Sequence, residues 1–192
     1  ASMWDGVVEA LPSDVGLVVP ELRGHGASTL GWKLPSVDQW ADDVVKLLRE
    51  KGIEAPLIAG LSLGGYTALG IAAAHPGFAR AFAFISTSAA SEDDAGRARR
   101  AAALAAIRRE GWRRFAAAFI PSLLNAAGPQ FPAHGKHLMT MFEHAGDSGL
   151  PPTLMALAGR KDRRELLPSI GVPSLVIVGA VDVLTPPDRA RE

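Results

Sequence analysis

The stretch Gly60-Leu61-Ser62-Leu63-Gly64-Gly65 decides the fold of this chain of 192 residues. A short apolar run at 56–59 precedes it, and a run of small and apolar residues at 66–75 follows it. This pattern predicts a strand that turns sharply into a helix, with Ser62 at the corner. Glycine at 60 and 64 has no Cβ atom that could clash in so tight a turn. We therefore expect the Ser62 hydroxyl to stand clear of the sheet beside free helix N–H groups, as a candidate nucleophile.

Length and composition limit the class of protein. A chain of 192 residues with 48% hydrophobic and 21% charged residues suits one globular domain with a sizeable core. The formal net charge is +0, so we expect neither nucleic acid nor a membrane as a partner. The chain has no cysteine, which excludes disulfides and thiolate metal sites. It also fits the cytoplasmic location that we predict.

The first half of the chain alternates between strand-like and helix-like segments. Short apolar runs predict strands at 15–19, 56–59 and 81–85. Apolar residues at helical spacing predict helices at 3–11 and 37–51, and the second begins with a capping box at Ser36 and Gln39. Alternating strands and helices predict an α/β fold with a mostly parallel sheet.

The alternation stops after Ser88. Residues 91–164 are helical in pattern and rich in alanine, and their prolines predict several short helices. A strand-like run returns at 173–179, followed by a loop at 180–187. A helical insertion between two strands of such a sheet commonly covers a site as a cap. We therefore divide the chain into an N-terminal core part at 1–88, a helical cap at 89–168 and a C-terminal core part at 169–192.

These elements, in this order, resemble the α/β-hydrolase superfamily, in particular its cap-bearing esterase, lactonase and cofactor-free haloperoxidase-like group. The resemblance covers essentially the whole chain. It depends on the serine turn, the helical cap and two loops, Arg23-Gly24-His25-Gly26-x-Ser28 and Gly179-x-x-Asp182-x-x-Thr185-Pro186. Within this group, residues 99–124 are similar to the caps of bacterial 3-oxoadipate enol-lactonase-like proteins.

The resemblance implies roles for three residues. Ser62 would be the nucleophile, the backbone N–H of Leu63 would form half of the oxyanion hole, and Asp182 would orient a catalytic histidine. Such a set is chemically consistent, because a serine hydroxyl attacks well only when an imidazole accepts its proton and a carboxylate fixes the tautomer of that imidazole. Haloalkane dehalogenases of this fold carry aspartate at the corner, so Ser62 indicates acyl transfer instead.

The predicted reaction is therefore hydrolysis of a small carboxylic ester or lactone through an acyl-enzyme. The expected partner is that small-molecule substrate, and no cofactor or metal is expected. His134-x-x-His137 has the spacing of a chance pair rather than a metal site.

Some parts of the family pattern have no counterpart in this sequence. In family order the catalytic histidine follows the acid, yet no histidine follows Asp182. The five histidines are His25, His75, His134, His137 and His144. The strand that carries the second oxyanion donor would precede the first helix. We therefore expect a fragment that is truncated at both ends, lacks the first strands and the last strand and helix, and is poorly stable and inactive alone.

Other interpretations of the same residues remain open. Ser62 could simply cap a helix, and Asp182 could simply start a turn. With the same catalytic residues the protein could be a cofactor-free haloperoxidase or a C–C bond hydrolase, because pocket shape distinguishes these activities. A non-catalytic ligand-binding homologue that has lost its histidine is the alternative from a different class.

Overall fold

The computed structural model describes residues 2–125 and 128–191. Three parallel strands form a sheet in the order β1 (Leu57–Leu61), β2 (Ala81–Ile85) and β3 (Ser174–Ile177). Leu57 pairs with Ala81, and Phe82 pairs with Ser174. β2 is thus the central strand, and the segment that leaves it lies between the segments that leave β1 and β3. The predicted α/β class with a parallel sheet is confirmed.

Helices occupy most of the remaining described chain. A 3-10 turn at Ser2–Trp4 leads into α1 (Asp5–Ala10), and a 3-10 helix at Arg164–Ser169 precedes β3. The other α-helices are α2 (Val37–Glu50), α3 (Leu63–Ala74), α4 (Asp94–Glu110), α5 (Trp112–Leu123), α6 (Phe131–Ala158) and α7 (Pro187–Arg191). None of the helices in the described ranges combines the length and the apolar character that crossing a membrane requires.

α2 supplies the largest fully buried side chain of the core. The Ser36 hydroxyl accepts a hydrogen bond from Gln39 N at 3.1 Å, so half of the predicted capping box forms. The Gln39 side chain donates instead to Asp43. Trp40 is 0% exposed, and its indole N–H donates to the Arg23 carbonyl at 3.1 Å. This contact joins α2 to the glycine-rich loop before it.

Residues 15–19 do not form the predicted strand. Val18 packs against the core, but Val15 and Leu17 are 47% and 48% exposed. A strand needs a neighbour that pairs its N–H and C=O groups. Within residues 2–125 and 128–191 this segment has no such neighbour, since the sheet contains only β1, β2 and β3. The apolar pattern therefore produces an extended segment without a ladder.

Two of the breaks in the helical segment lie at glycines, whereas Pro129 and Pro132 lie where α6 begins. Gly111 has φ 81 and separates α4 from α5, and Gly146 has φ 50 where α6 bends. Such left-handed backbone is readily adopted only by glycine. Pro121 lies inside α5, and Pro151 and Pro152 lie inside α6, so at these positions the prediction that prolines divide the segment into short helices is wrong. The predicted limits of core and cap remain a prediction.

A buried ionic cluster fixes the two junctions between this helical segment and the sheet. Glu92 lies at the first junction, and its side chain is 9% exposed. It accepts hydrogen bonds from Arg100 at 2.6 Å and from Arg160, which lies at the second junction. Arg160 also donates to the Ala90 carbonyl, and its guanidinium lies 4.5 Å from the centre of the Tyr66 ring in α3.

β1 and α3 approach each other very closely at the turn between them. A Cβ atom at Gly60 would lie 2.2 Å from the Gly64 carbonyl oxygen, and one at Gly65 would lie 2.5 Å from the Thr87 side chain. At Gly64 a Cβ atom would meet nothing within 4 Å beyond its own helix. The steric reason predicted for Gly60 is confirmed, whereas for Gly64 it is wrong, and Gly65 is the second glycine that the turn requires.

We expect Gly60→Ala to destabilise the protein and Gly64→Ala to leave its stability unchanged or higher. The Gly60 substitution forces backbone apart, which should lower the free energy of unfolding by about 1–3 kcal/mol or more. Alanine at 64 has open space and a better helix propensity, worth up to about 1 kcal/mol. Urea denaturation of the two variants measures this difference. Equal losses in both would contradict the packing described for the turn.

We also expect Glu92→Gln to lower the free energy of unfolding by about 3 kcal/mol at pH 7, because it leaves Arg160 buried without its counter-charge. Burial alone would raise the pKa of Glu92, but the hydrogen bonds and charges of Arg100 and Arg160 outweigh it and hold that pKa below the ordinary 4.5. The stabilisation is therefore present above about pH 4.5 and is lost as the pH falls through the lowered pKa. Denaturation at pH 7 and at progressively lower pH should show the difference between wild type and variant shrinking. Glu143→Gln, which removes an exposed partner of Arg113, is the matched control and should change little.

Candidate active site

Ser62 is the one residue between the end of β1 and the start of α3, and its backbone is strained. Its φ of 49° and ψ of −109° lie in a region that residues with a side chain rarely adopt. Ser62 N donates to the Ile85 carbonyl at 2.8 Å. The Ser62 carbonyl accepts from Tyr66 N at 3.1 Å and from the Thr87 hydroxyl at 3.0 Å. The strained corner is therefore held by β2, by α3 and by the residue Thr87.

The Ser62 side chain does not cap α3. Although Ser62 occupies the N-cap position, its hydroxyl makes no capping hydrogen bond with the helix. The first N–H groups of any α-helix lack acceptors within the helix and carry a partial positive charge. Ser62 and Leu63 thus place a hydroxyl next to an electropositive helix end. The interpretation of Ser62 as an ordinary helix cap is not supported.

Asp182 organises the loop that follows β3. One carboxylate oxygen accepts from Leu184 N at 2.9 Å and from Thr185 N at 2.8 Å, and the other accepts from the Thr185 hydroxyl at 2.9 Å. Burial would raise the pKa of this carboxyl, but hydrogen bonds from Thr185, Ser86 and Leu184 outweigh burial and hold the pKa below its ordinary value. Asp182 therefore carries out the turn-forming role, and it does so as a carboxylate.

The strand order brings Ser62 and Asp182 to the same edge of the sheet. Ser62 follows β1, and Asp182 lies in the loop after β3, both at the carboxyl ends of parallel strands. This edge is where ligands of open α/β sheets bind. β1 and β3 are separated by two inter-strand spacings, on the order of 10 Å. A third group is thus needed to connect the two side chains.

The five histidines either contact residues other than Ser62 and Asp182 or are exposed. The His25 ring lies 3.1 Å from the Thr153 hydroxyl and 3.3 Å from the Arg23 carbonyl, and burial lowers its pKa. His75 lies 2.8 Å from Asp42, and His144 lies 2.8 Å from the Thr140 carbonyl. His134 and His137 are exposed on α6. In the part of the chain that the structure describes, no histidine is hydrogen-bonded to Ser62 or to Asp182.

The end of α6 packs near the start of α3. Leu63 and Leu157 pack against one cluster of buried residues, to which Tyr66, Trp40 and Ala156 belong. The Thr153 hydroxyl contacts His25 in the glycine-rich loop. The second half of α6 therefore contacts both the glycine-rich loop and the buried cluster that includes α3.

Ser86 and Thr87 were not among the predicted site residues. Both lie just after β2; Ser86 N donates to the Ile177 carbonyl, and the Thr87 hydroxyl donates to the Ser62 carbonyl. Two adjacent hydroxyl residues after a buried strand are the signal that could have indicated them. Their partners, however, depend on the strand order.

Comparison with known proteins agrees with this architecture. The chain is 27% identical over 197 residues to 3-oxoadipate enol-lactonase 1 of Acinetobacter baylyi, which covers 95% of this chain and 67% of that protein. An esterase structure from Thermogutta terrifontis superposes with a TM-score of 0.85 and 26% identity, covering 99% of this chain and 71% of that one. The enol-lactonase structure from Burkholderia xenovorans LB400 gives a TM-score of 0.77 and 27% identity, covering 88% of this chain and 64% of that one.

The chain thus spans about two thirds of the length of the enol-lactonases that it matches, with 67% and 64% coverage of them. The resemblance to the esterase and lactonase group is confirmed by these relatives. A sequence model of the alpha/beta hydrolase family matches residues 1–191, so the strand, serine corner and helix described above are parts of one family architecture and the chain belongs to the alpha/beta hydrolase family.

Proposed function

We propose that this protein is a serine hydrolase that cleaves a small carboxylic ester or lactone through an acyl-enzyme. The observation that carries the proposal is the strained Ser62 corner, whose hydroxyl makes no bond to the helix that it precedes. Strain of this kind persists only where the surrounding structure enforces it, and it is concentrated at functional sites. The esterase and enol-lactonase names of the relatives support the substrate class.

In the first step, the Ser62 oxygen attacks the carbonyl carbon of the substrate while a base accepts its proton. Negative charge develops on the carbonyl oxygen of the substrate. The backbone N–H of Leu63, in the first turn of α3, stabilises that charge as one donor of an oxyanion hole. Collapse of the tetrahedral intermediate breaks the C–O bond, transfers the proton to the leaving alkoxide and leaves Ser62 acylated. In a lactone the leaving alkoxide stays attached to the acyl chain.

In the second step, water hydrolyses the acyl-enzyme by the same route in reverse. The ionised Asp182 orients the base and stabilises it when it is protonated. The gap on the order of 10 Å between the two strand ends gives room for an imidazole that contacts both residues. The five histidines of this sequence bond elsewhere or are exposed on α6, so none of them is given the role of the base.

The proposed partner and cellular location follow from the composition of the chain. We propose a small-molecule substrate as the partner, without nucleic acid or membrane, and a cytoplasmic location. The balanced charge and the absence of cysteine support this proposal.

We expect Ser62→Ala to lower kcat/KM for p-nitrophenyl butyrate by about 10⁴-fold or more, because the nucleophile is lost while the fold is kept. The assay uses the protein expressed from its complete open reading frame. Ser169→Ala is the matched control, since it removes an exposed serine hydroxyl that bonds to the Leu166 carbonyl, and it should retain wild-type activity. Mass spectrometry after treatment with a fluorophosphonate should find the label on Ser62.

Retained turnover in Ser62→Ala, or a fluorophosphonate label on another residue, would contradict the proposal. A wild-type protein that turns over no member of a panel of esters and lactones, yet binds some of them, would be a non-catalytic binding homologue. Turnover of C–C bond substrates, or halogenation with peroxide, in place of ester hydrolysis would identify the other enzyme class on the same residues.

A further inference from the structure

Two hydroxyl residues follow the central strand, β2, at the edge of the sheet where Ser62 lies. β2 ends at Ile85, and the chain continues with Ser86 and Thr87. On one side of β2, Ser62 N donates to the Ile85 carbonyl at 2.8 Å. On the other side, Ser86 N donates to the Ile177 carbonyl at 2.8 Å. The end of β2 is therefore bonded to the ends of both neighbouring strands.

Thr87 acts on the serine corner. Its hydroxyl donates to the Ser62 carbonyl at 3.0 Å, which also accepts from Tyr66 N. Its side chain fills the space that Gly65 leaves open, since a Cβ atom at 65 would lie 2.5 Å from the Thr87 side chain. Thr87 thus fixes the direction of a peptide group whose residue is held at φ 49°. Because the backbone sets the direction of the Cα–Cβ bond, the same contact fixes the point from which the Ser62 hydroxyl extends.

Ser86 marks where the chain leaves the sheet. It has φ 43°, so the regular pleat ends at this residue. In a regular strand two successive side chains would point to opposite faces of the sheet. After this break, the Thr87 hydroxyl bonds to the Ser62 carbonyl.

We infer that Thr87 is a positioning residue for the proposed hydrolase reaction, with its hydroxyl holding the Ser62 corner. The inference depends on the proposed function, because it assigns a task only if Ser62 reacts. The Thr87 hydroxyl does not need to touch the substrate. The end of the central strand then sets the orientation of a nucleophile that follows the neighbouring strand.

The experiment compares Thr87→Val with Thr87→Ser in the protein expressed from its complete open reading frame. Valine keeps the shape and removes the hydroxyl, and serine keeps the hydroxyl and removes the methyl group. A misplaced nucleophile slows the chemical step but leaves substrate binding intact. We expect Thr87→Val to lower kcat about tenfold or more with KM within about twofold, and Thr87→Ser to keep kcat within about threefold.

The control is Thr140→Val, the same substitution at an exposed threonine whose hydroxyl bonds to the Lys136 carbonyl in α6. It should leave both kinetic constants unchanged. Active-site titration with the fluorophosphonate normalises every rate to the amount of folded enzyme, so a loss of stability does not appear as a loss of kcat.

Two results would overturn the inference while the proposed function stands. One is a wild-type kcat in Thr87→Val in an enzyme that Ser62→Ala inactivates. The other is an equal fall of kcat in Thr87→Ser and Thr87→Val, which would assign the effect to packing against Gly65. If Thr87→Val does not accumulate in folded form, Thr87→Ala replaces it, with the same fall of kcat expected and a wild-type kcat counting against the inference. Retained turnover in Ser62→Ala would instead remove the proposed function itself.

Discussion

The turn between β1 and α3 consists of a single residue, and much of the surrounding structure follows from this constraint. A strand can lead into a helix across one residue only if that residue leaves the ordinary backbone regions, and Ser62 does so at φ 49°. The close approach that results requires glycine at 60 and at 65. It also turns the Ser62 carbonyl toward the Thr87 hydroxyl. A strained serine, two glycines and a threonine just after the neighbouring strand are thus consequences of one geometric requirement.

The parts of the fold that depend on local pattern could be predicted from the sequence. β2 has the predicted bounds, and α2 begins at the predicted cap and ends close to the predicted residue. Each of these elements carries its own periodicity and its own end signal. Residues 15–19 are equally apolar and yet form no strand, because a ladder depends on a partner that a local pattern does not report. The breaks at Gly111 and Gly146 were missed for a related reason, since the pattern marks proline strongly and a left-handed glycine weakly.

The candidate site shows the same division between local and non-local information. Ser62, Leu63 and Asp182 could be proposed as candidates because short motifs surround them in a fixed order. Thr87 has no such motif, and its contact with Ser62 arises only when β2 is placed beside β1. The contact of the Thr87 hydroxyl with Ser62 spans 25 positions of the sequence. Hydrogen bonds between the ends of neighbouring strands depend on register and order, which no single segment encodes.

The ionic cluster at the junctions joins the two ends of the helical segment to each other. Glu92 and Arg160 pair across 68 positions of the sequence, and the Arg160 guanidinium also lies over the Tyr66 ring, one turn beyond Ser62. A segment whose two ends meet is a closed loop, and the entropic cost of closing a loop rises only slowly with its length. The length of the helical segment can therefore vary at little cost in stability, whereas the Glu92–Arg160 closure beside the serine corner has to be kept.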